Sequence, residues 1–153
     1  MRAVIFTIVV AVLMMGGLSP RAGDPLDPML SPEAAVHIQL RALQNNDVPS
    51  PDSGIRKAWA FAHPDNKRLT GPLSKFMAMI KQPAYAMLLN HQNHEIQLLE
   101  RSASIAVFAI RVTANDGLVY LCRWQVAPVS GGENDGAWLT IGVSPLMAVG
   151  KET

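Results

Sequence analysis

Leu118-Val119-Tyr120-Leu121-Cys122-Arg123-Trp124-Gln125-Val126 sets Leu118, Tyr120, Cys122, Trp124 and Val126 at every second position. Successive side chains on a β-strand point to opposite faces, so this alternation predicts a strand with one face buried. Working outward, Ala106, Phe108, Ile110 and Val112 repeat the pattern before it, and Leu139, Ile141 and Val143 repeat it after. Ile96 and Leu98 alternate with polar residues further upstream. Asn115-Asp116-Gly117 is a tight hairpin turn, and Ser130-Gly131-Gly132-Glu133-Asn134-Asp135-Gly136 a looser one. The second half of the chain therefore reads as four antiparallel strands.

The first half changes period. Ser31-Pro32-Glu33 is a helix start: a serine cap, proline at the first helical position, an acid in the first turn. Val36, Leu40 and Leu43 follow at i, i+4 and i+7, and Asn45-Asn46-Asp47 with Pro49 end a helix over about 32–45. Ile55, Ala58, Trp59 and Ala62 make the stripe of a second helix, which His63-Pro64-Asp65-Asn66 should stop. Thr70-Gly71-Pro72 opens a third, with Leu73, Phe76, Met77 and Ile80 on one side and Gln82-Pro83 at its end. Residues 84–89 add a short turn. The expected fold is α+β: three N-terminal helices packed on a curved four-stranded antiparallel sheet, with a cone-shaped interior.

Ahead of the domain, Met1-Arg2 and the apolar stretch Ala3 to Met15 read as a secretory signal segment over 1–22. The stretch is shorter than the roughly 20 residues of a transmembrane helix. The cleavage site is poor, so the alternative is an uncleaved N-terminal membrane anchor. Residues 23–30 read as a proline-rich linker and 31–148 as a single domain. The expected location is extracytoplasmic, periplasmic or secreted. Cys122 is the one cysteine, so no internal disulfide forms.

With 13 basic and 12 acidic residues the net charge is +1, and no cluster of Lys and Arg marks a nucleic-acid surface. Apolar residues make up 49% and charged residues only 16%.

His91-Gln92-Asn93-His94-Glu95 is the densest polar group. In a strand, His91 and His94 point to opposite faces, and the order is not that of a zinc helix, so no metal site is expected. Asn90-His91 has two readings. In one, His91 and Tyr85 line a pocket and bind or protonate a ligand. In the other, Asn90 caps the turn and His91 bonds to the backbone. His63 reads as a helix C-terminal residue, His37 as solvated, and Cys122 as a buried small hydrophobe. Trp59, Phe76, Tyr85, Tyr120 and Trp124 are the aromatic set facing the cone, as core or as pocket wall; with Asn90 and His91 they form the candidate ligand pocket. An acid–base mechanism would need a carboxylate inside the cone, and Glu100 is the candidate by strand parity, unless it falls at the strand end in water.

A resemblance joins these pieces. Gln39-Leu40-Arg41-Ala42-Leu43 with Asn46-Asp47, Gly54-Ile55 with Trp59-Ala60-Phe61-Ala62-His63-Pro64, Thr70-Gly71-Pro72 with Phe76, and Tyr85 with Leu89-Asn90-His91 resemble a domain-of-unknown-function family of bacteria and plants. That family is similar in outline to cystatin-like and NTF2-like folds. The resemblance implies helices first, then a curved sheet, and it carries over no catalytic residues and no cofactor. Three functional expectations follow: a non-catalytic module binding a small apolar ligand or a protein partner; a small isomerase, dehydratase or cyclase using His91, Tyr85 or Glu100; or a homodimeric interaction domain.

Overall fold

Ser31 accepts the Ala34 N–H on its hydroxyl at 3.1 Å and Pro32 follows it, so the first helix, α1, starts there and runs Pro32–Gln44. The computed structural model describes residues 26–151, so the apolar segment assigned to export lies outside the described residues. These residues form four α-helices, one turn of 3-10 helix and five β-strands. After α1 come α2 (Ser53–Ala60), α3 (Pro64–Thr70), α4 (Leu73–Ile80) and the 3-10 turn Ala86–Leu88. The strands are β1 (Asn93–Arg101), β2 (Ala106–Thr113), β3 (Leu118–Pro128), β4 (Trp138–Val143) and β5 (Met147–Lys151).

The α+β reading holds, with helices first and a curved, unclosed antiparallel sheet after them. Two elements exceed it. The first is α3, where His63-Pro64-Asp65-Asn66 was read as a stop. Those residues also start a helix: His63 Nδ1 accepts the Asp65 N–H at 3.1 Å and Pro64 takes the first helical position. His63 is thus an N-cap and not a helix C-terminal residue. The second is β5, which extends the sheet beyond residue 148. All its residues are exposed, so it lacks the buried parity that betrays a strand in sequence.

The strand order is β1-β2-β3-β4, with β5 also on β3. β3 is the long central strand: one edge pairs with β2 along its length, and the other is shared by β4 near Val126 and β5 near Tyr120. The outer edge of β4 is occupied as well. Thr140 donates its N–H to Phe61 O at 2.9 Å, and His63 N–H donates to Thr140 O at 2.8 Å, so the α2–α3 junction adds a parallel bridge to the sheet.

α1 buries Val36, Leu40 and Leu43 against Phe108, Ile110 and Val126 of the sheet's inner face. α2 lies so close to α1 that a Cβ on Gly54 would sit 2.1 Å from Ala42 O. Only glycine fits that crossing. Leu26 and Leu30, from the stretch read as linker, pack on a second small core with Ala35, Phe61 and Leu139, and Leu26 N–H donates to Asn134 Oδ1 at 3.0 Å.

Three of the segments that carry the resemblance meet in one polar knot beside this crossing. Asn46 Oδ1 accepts the Ile55 N–H at 3.0 Å, and its Nδ2 donates to Asp47 Oδ1 and Asp52 Oδ1. Asn90, in the left-handed region at φ 54°, accepts Asn46 N–H on Oδ1 and donates Nδ2 to Asp47 Oδ2. Lys81 at the end of α4 pairs with Asp52 at 2.6 Å. Hydrogen bonds to Asp52 N–H and Asn90 hold Asp47 below the usual carboxylate range, and the Lys81 bond does the same for Asp52.

A candidate ligand cavity in the cone

The cavity's floor is set by a bulge in β4. Thr140 pairs with Val126 and Gly142 with Gln125, leaving Ile141 as the extra residue. The bulge breaks the expected run of Leu139, Ile141 and Val143 on one face. It turns both Thr140 and Val143 toward the helices, where they line a cavity of about 140 Å³.

Phe76 and Ile80 of α4, Leu43 of α1 and Ala58 of α2 form the apolar wall, and Trp124 of β3 faces them. Tyr85 closes one side; its hydroxyl donates to Val143 O at 3.2 Å. A chain of buried hydrogen bonds runs along the floor. Trp124 Nε1–H donates to Thr140 Oγ1 at 2.8 Å, the Thr140 hydroxyl donates to Gln39 Oε1, and Gln39 Nε2 donates to Ala58 O at 2.9 Å. No buried side-chain nitrogen or oxygen among the described residues is left without a partner. Asn66 of α3 donates to Thr140 O at 3.2 Å, and Thr70 donates to Asn66 O at 2.9 Å, so α3 brings a hydroxyl and an amide to the half-buried rim.

Of the seven residues read as a pocket, Phe76, Tyr85 and Trp124 line this cavity. Trp59 stands behind it: its ring packs on Phe76 at 5.0 Å between centroids, and the Lys67 ammonium lies 5.4 Å over the Trp59 ring. Tyr120 shares the inner face with Trp124 but sits four residues down the strand, about 13 Å away. There its hydroxyl donates to Asp116 Oδ2 at 2.8 Å, a bond that raises its pKa. Asn90 belongs to the polar knot.

His91 is buried but does not line the cavity. Its Nδ1 lies 2.7 Å from Leu88 O, which can only accept, so Nδ1 carries the proton. His91 Nε2 then accepts from His94 Nδ1–H at 2.7 Å. The two rings meet edge to face because His91 precedes β1, so the alternation that would separate them does not apply. Since Leu88 lines the cavity, His91 holds a wall and touches no ligand space. Burial lowers the pKa of His91; burial, with the charges of His91, His37 and Arg41 added, lowers that of His94 to about 4. His37, exposed on α1, faces His94 at 6.3 Å between ring centroids.

Glu100 is exposed near the end of β1, past a bulge at Leu98/Glu100 that breaks its parity with Ile96. Cys122 is buried, and desolvation pushes its thiol up to about 12, far from a reactive thiolate. Sequence reasoning missed Gln39, Asn66 and Thr140. Gln39 carried a signal, being a polar residue on the apolar stripe of α1. Thr140 carried none, because only the bulge turns it inward.

No group of three or more His, Cys, Asp or Glu among the described residues could hold a metal ion. No described helix is long and apolar enough to cross a membrane. No curated protein and no solved structure matches the chain. The family model described as "Domain of unknown function (DUF4864)" matches residues 30–153, and the chain belongs to that family.

Proposed function

We propose that this protein is an exported, non-catalytic binding module that holds a small apolar molecule between α1, α2, α4 and the sheet. One observation carries the reading: the cavity is walled by carbon, and its polar atoms are amides and hydroxyls. That is the usual layout of a small-molecule site, with apolar walls and a few placed polar groups. Of the three residues an acid–base mechanism would use, only Tyr85 reaches the cavity, and its proton is directed to a backbone carbonyl. Export rests on the apolar stretch from Ala3 to Met15; left uncut, it would tether the module to the membrane. The order of helices before a curved antiparallel sheet is in keeping with an NTF2-like or cystatin-like cone.

The test is mass spectrometry of the protein purified from the exported fraction, under native and denaturing conditions. The denatured mass should lack the leader, or retain it if it anchors. The native mass should exceed the denatured one by one discrete small-molecule increment. A bare native mass, or absence of the protein from the exported fraction, would overturn the reading.

A further inference from the structure

We propose that the occupant of the cavity is an uncharged, ring-sized molecule bearing one hydrogen-bonding group; this rests on the binding-module reading above. Size comes first. The space is about 140 Å³, close to the roughly 150 Å³ of an engineered apolar cavity that takes up benzene. A single six-membered ring fills it, and a long acyl chain does not fit.

Charge comes second. No Asp, Glu, Lys, Arg or His among the described residues lines the cavity. An ion entering it would shed its hydration with no countercharge to replace it, at a cost that apolar contact does not offset.

The polar group comes third. Thr140 Oγ1 accepts from Trp124 and gives its one proton to Gln39, so it has nothing left to donate and a single lone pair to offer. Spare capacity lies on either side of it. Gln39 Nε2 uses one proton on Ala58 O, and Asn66 Nδ2 uses one on Thr140 O, leaving each amide a second N–H and Asn66 its carbonyl oxygen. The rim also offers the Thr70 and Tyr85 oxygens. One hydroxyl, carbonyl or ring N–H on the ligand meets this band, while its carbon body contacts Phe76 and Trp124.

The experiment uses the purified protein at pH 7 with four probes: phenol, toluene, benzoate and octanoate. Binding is read from the Trp124 side-chain N–H resonance and from the shift in melting temperature. Phenol and toluene should bind, with phenol tighter. Benzoate, the same ring with a full charge, should bind more than about a hundredfold more weakly than phenol. Octanoate should not bind. Asn66→Leu should weaken phenol about tenfold and leave toluene unchanged. Ala62→Leu should fill the cavity and abolish both; Val143→Phe, which fills it from the rim, serves if that variant does not fold.

Benzoate or octanoate binding as well as phenol would overturn the uncharged, ring-sized assignment and leave the module reading standing. If no probe binds but a co-purified mass is present, this inference falls alone. If no probe binds and the native mass is bare, both fall.

Discussion

The indole N–H of Trp124 donates to Thr140 Oγ1 at 2.8 Å, and that one hydroxyl links the central strand to Gln39 on the first helix. Both ends of the link are buried, so losing the hydroxyl strands a donor and an acceptor away from water. Thr140→Val keeps the shape and removes the bonds. It should destabilise the protein by about 1–3 kcal/mol in urea denaturation, with Thr140→Ser costing clearly less. A Thr140→Ser loss larger than that of Thr140→Val would show that the methyl group, not the hydroxyl, matters there.

Acid should weaken the fold through His94. Its pKa in the folded protein is about 4 against an ordinary 6.5, so the folded state favours the neutral ring. The unfolded chain binds the proton first as pH drops, so the stability this residue contributes is present above about 6.5 and lost on the way down to about 4. His91, lowered by burial, acts in the same direction. Melting temperature measured from pH 7.5 to 4 should fall below 6.5, and His94→Gln should flatten that fall. Superimposable profiles for the two proteins would refute the assignment.

Gly54 is fixed by approach and not by turn geometry. Its would-be Cβ meets Ala42 O at 2.1 Å and Asn46 Cα at 2.7 Å, both backbone atoms. Gly54→Ala must push α2 off α1 and disturb the Asn46 knot. A loss of about 1–3 kcal/mol is expected by thermal or urea unfolding, against the usual gain from Gly→Ala inside a helix.

Cys122 should behave as a buried apolar side chain. With its thiol near 12 and its sulfur inside the sheet, a thiol reagent should label it only as the protein unfolds. Labelling across a urea series should follow the fluorescence transition; rapid labelling of the native protein would contradict the burial.

What was legible in the sequence was what periodicity and caps encode. Ser31-Pro32-Glu33 marks α1, the Phe108 and Cys122 alternations mark β2 and β3, and Asn115-Asp116-Gly117 marks their turn. Signals with two meanings misled. His63-Pro64 both ends one helix and caps the next, and a histidine nitrogen proves a competent cap. Bulges defeated parity at Glu100 and again at Ile141, since one extra residue reverses the face of all that follows. Within the aromatic set, alternation says which face a residue takes and not how far along the strand it sits. That separates Trp124 at the cavity from Tyr120 at the hairpin.

The pairing of Thr140 with Phe61 and His63 has a consequence for how the molecule is made. The hairpins of β1, β2 and β3 join neighbours in the chain and can form soon after those residues are present. The bridge between Ala62 and Thr140 instead closes most of the domain's length into one loop. A growing chain presents its four helices first; β2 and β3 can then cover the inner side of α1, but Thr140 can join only when the residues near 140 have left the ribosome. The molecule is therefore sealed from its carboxyl end. That late, long-range seam runs through the Thr140 floor of the cavity.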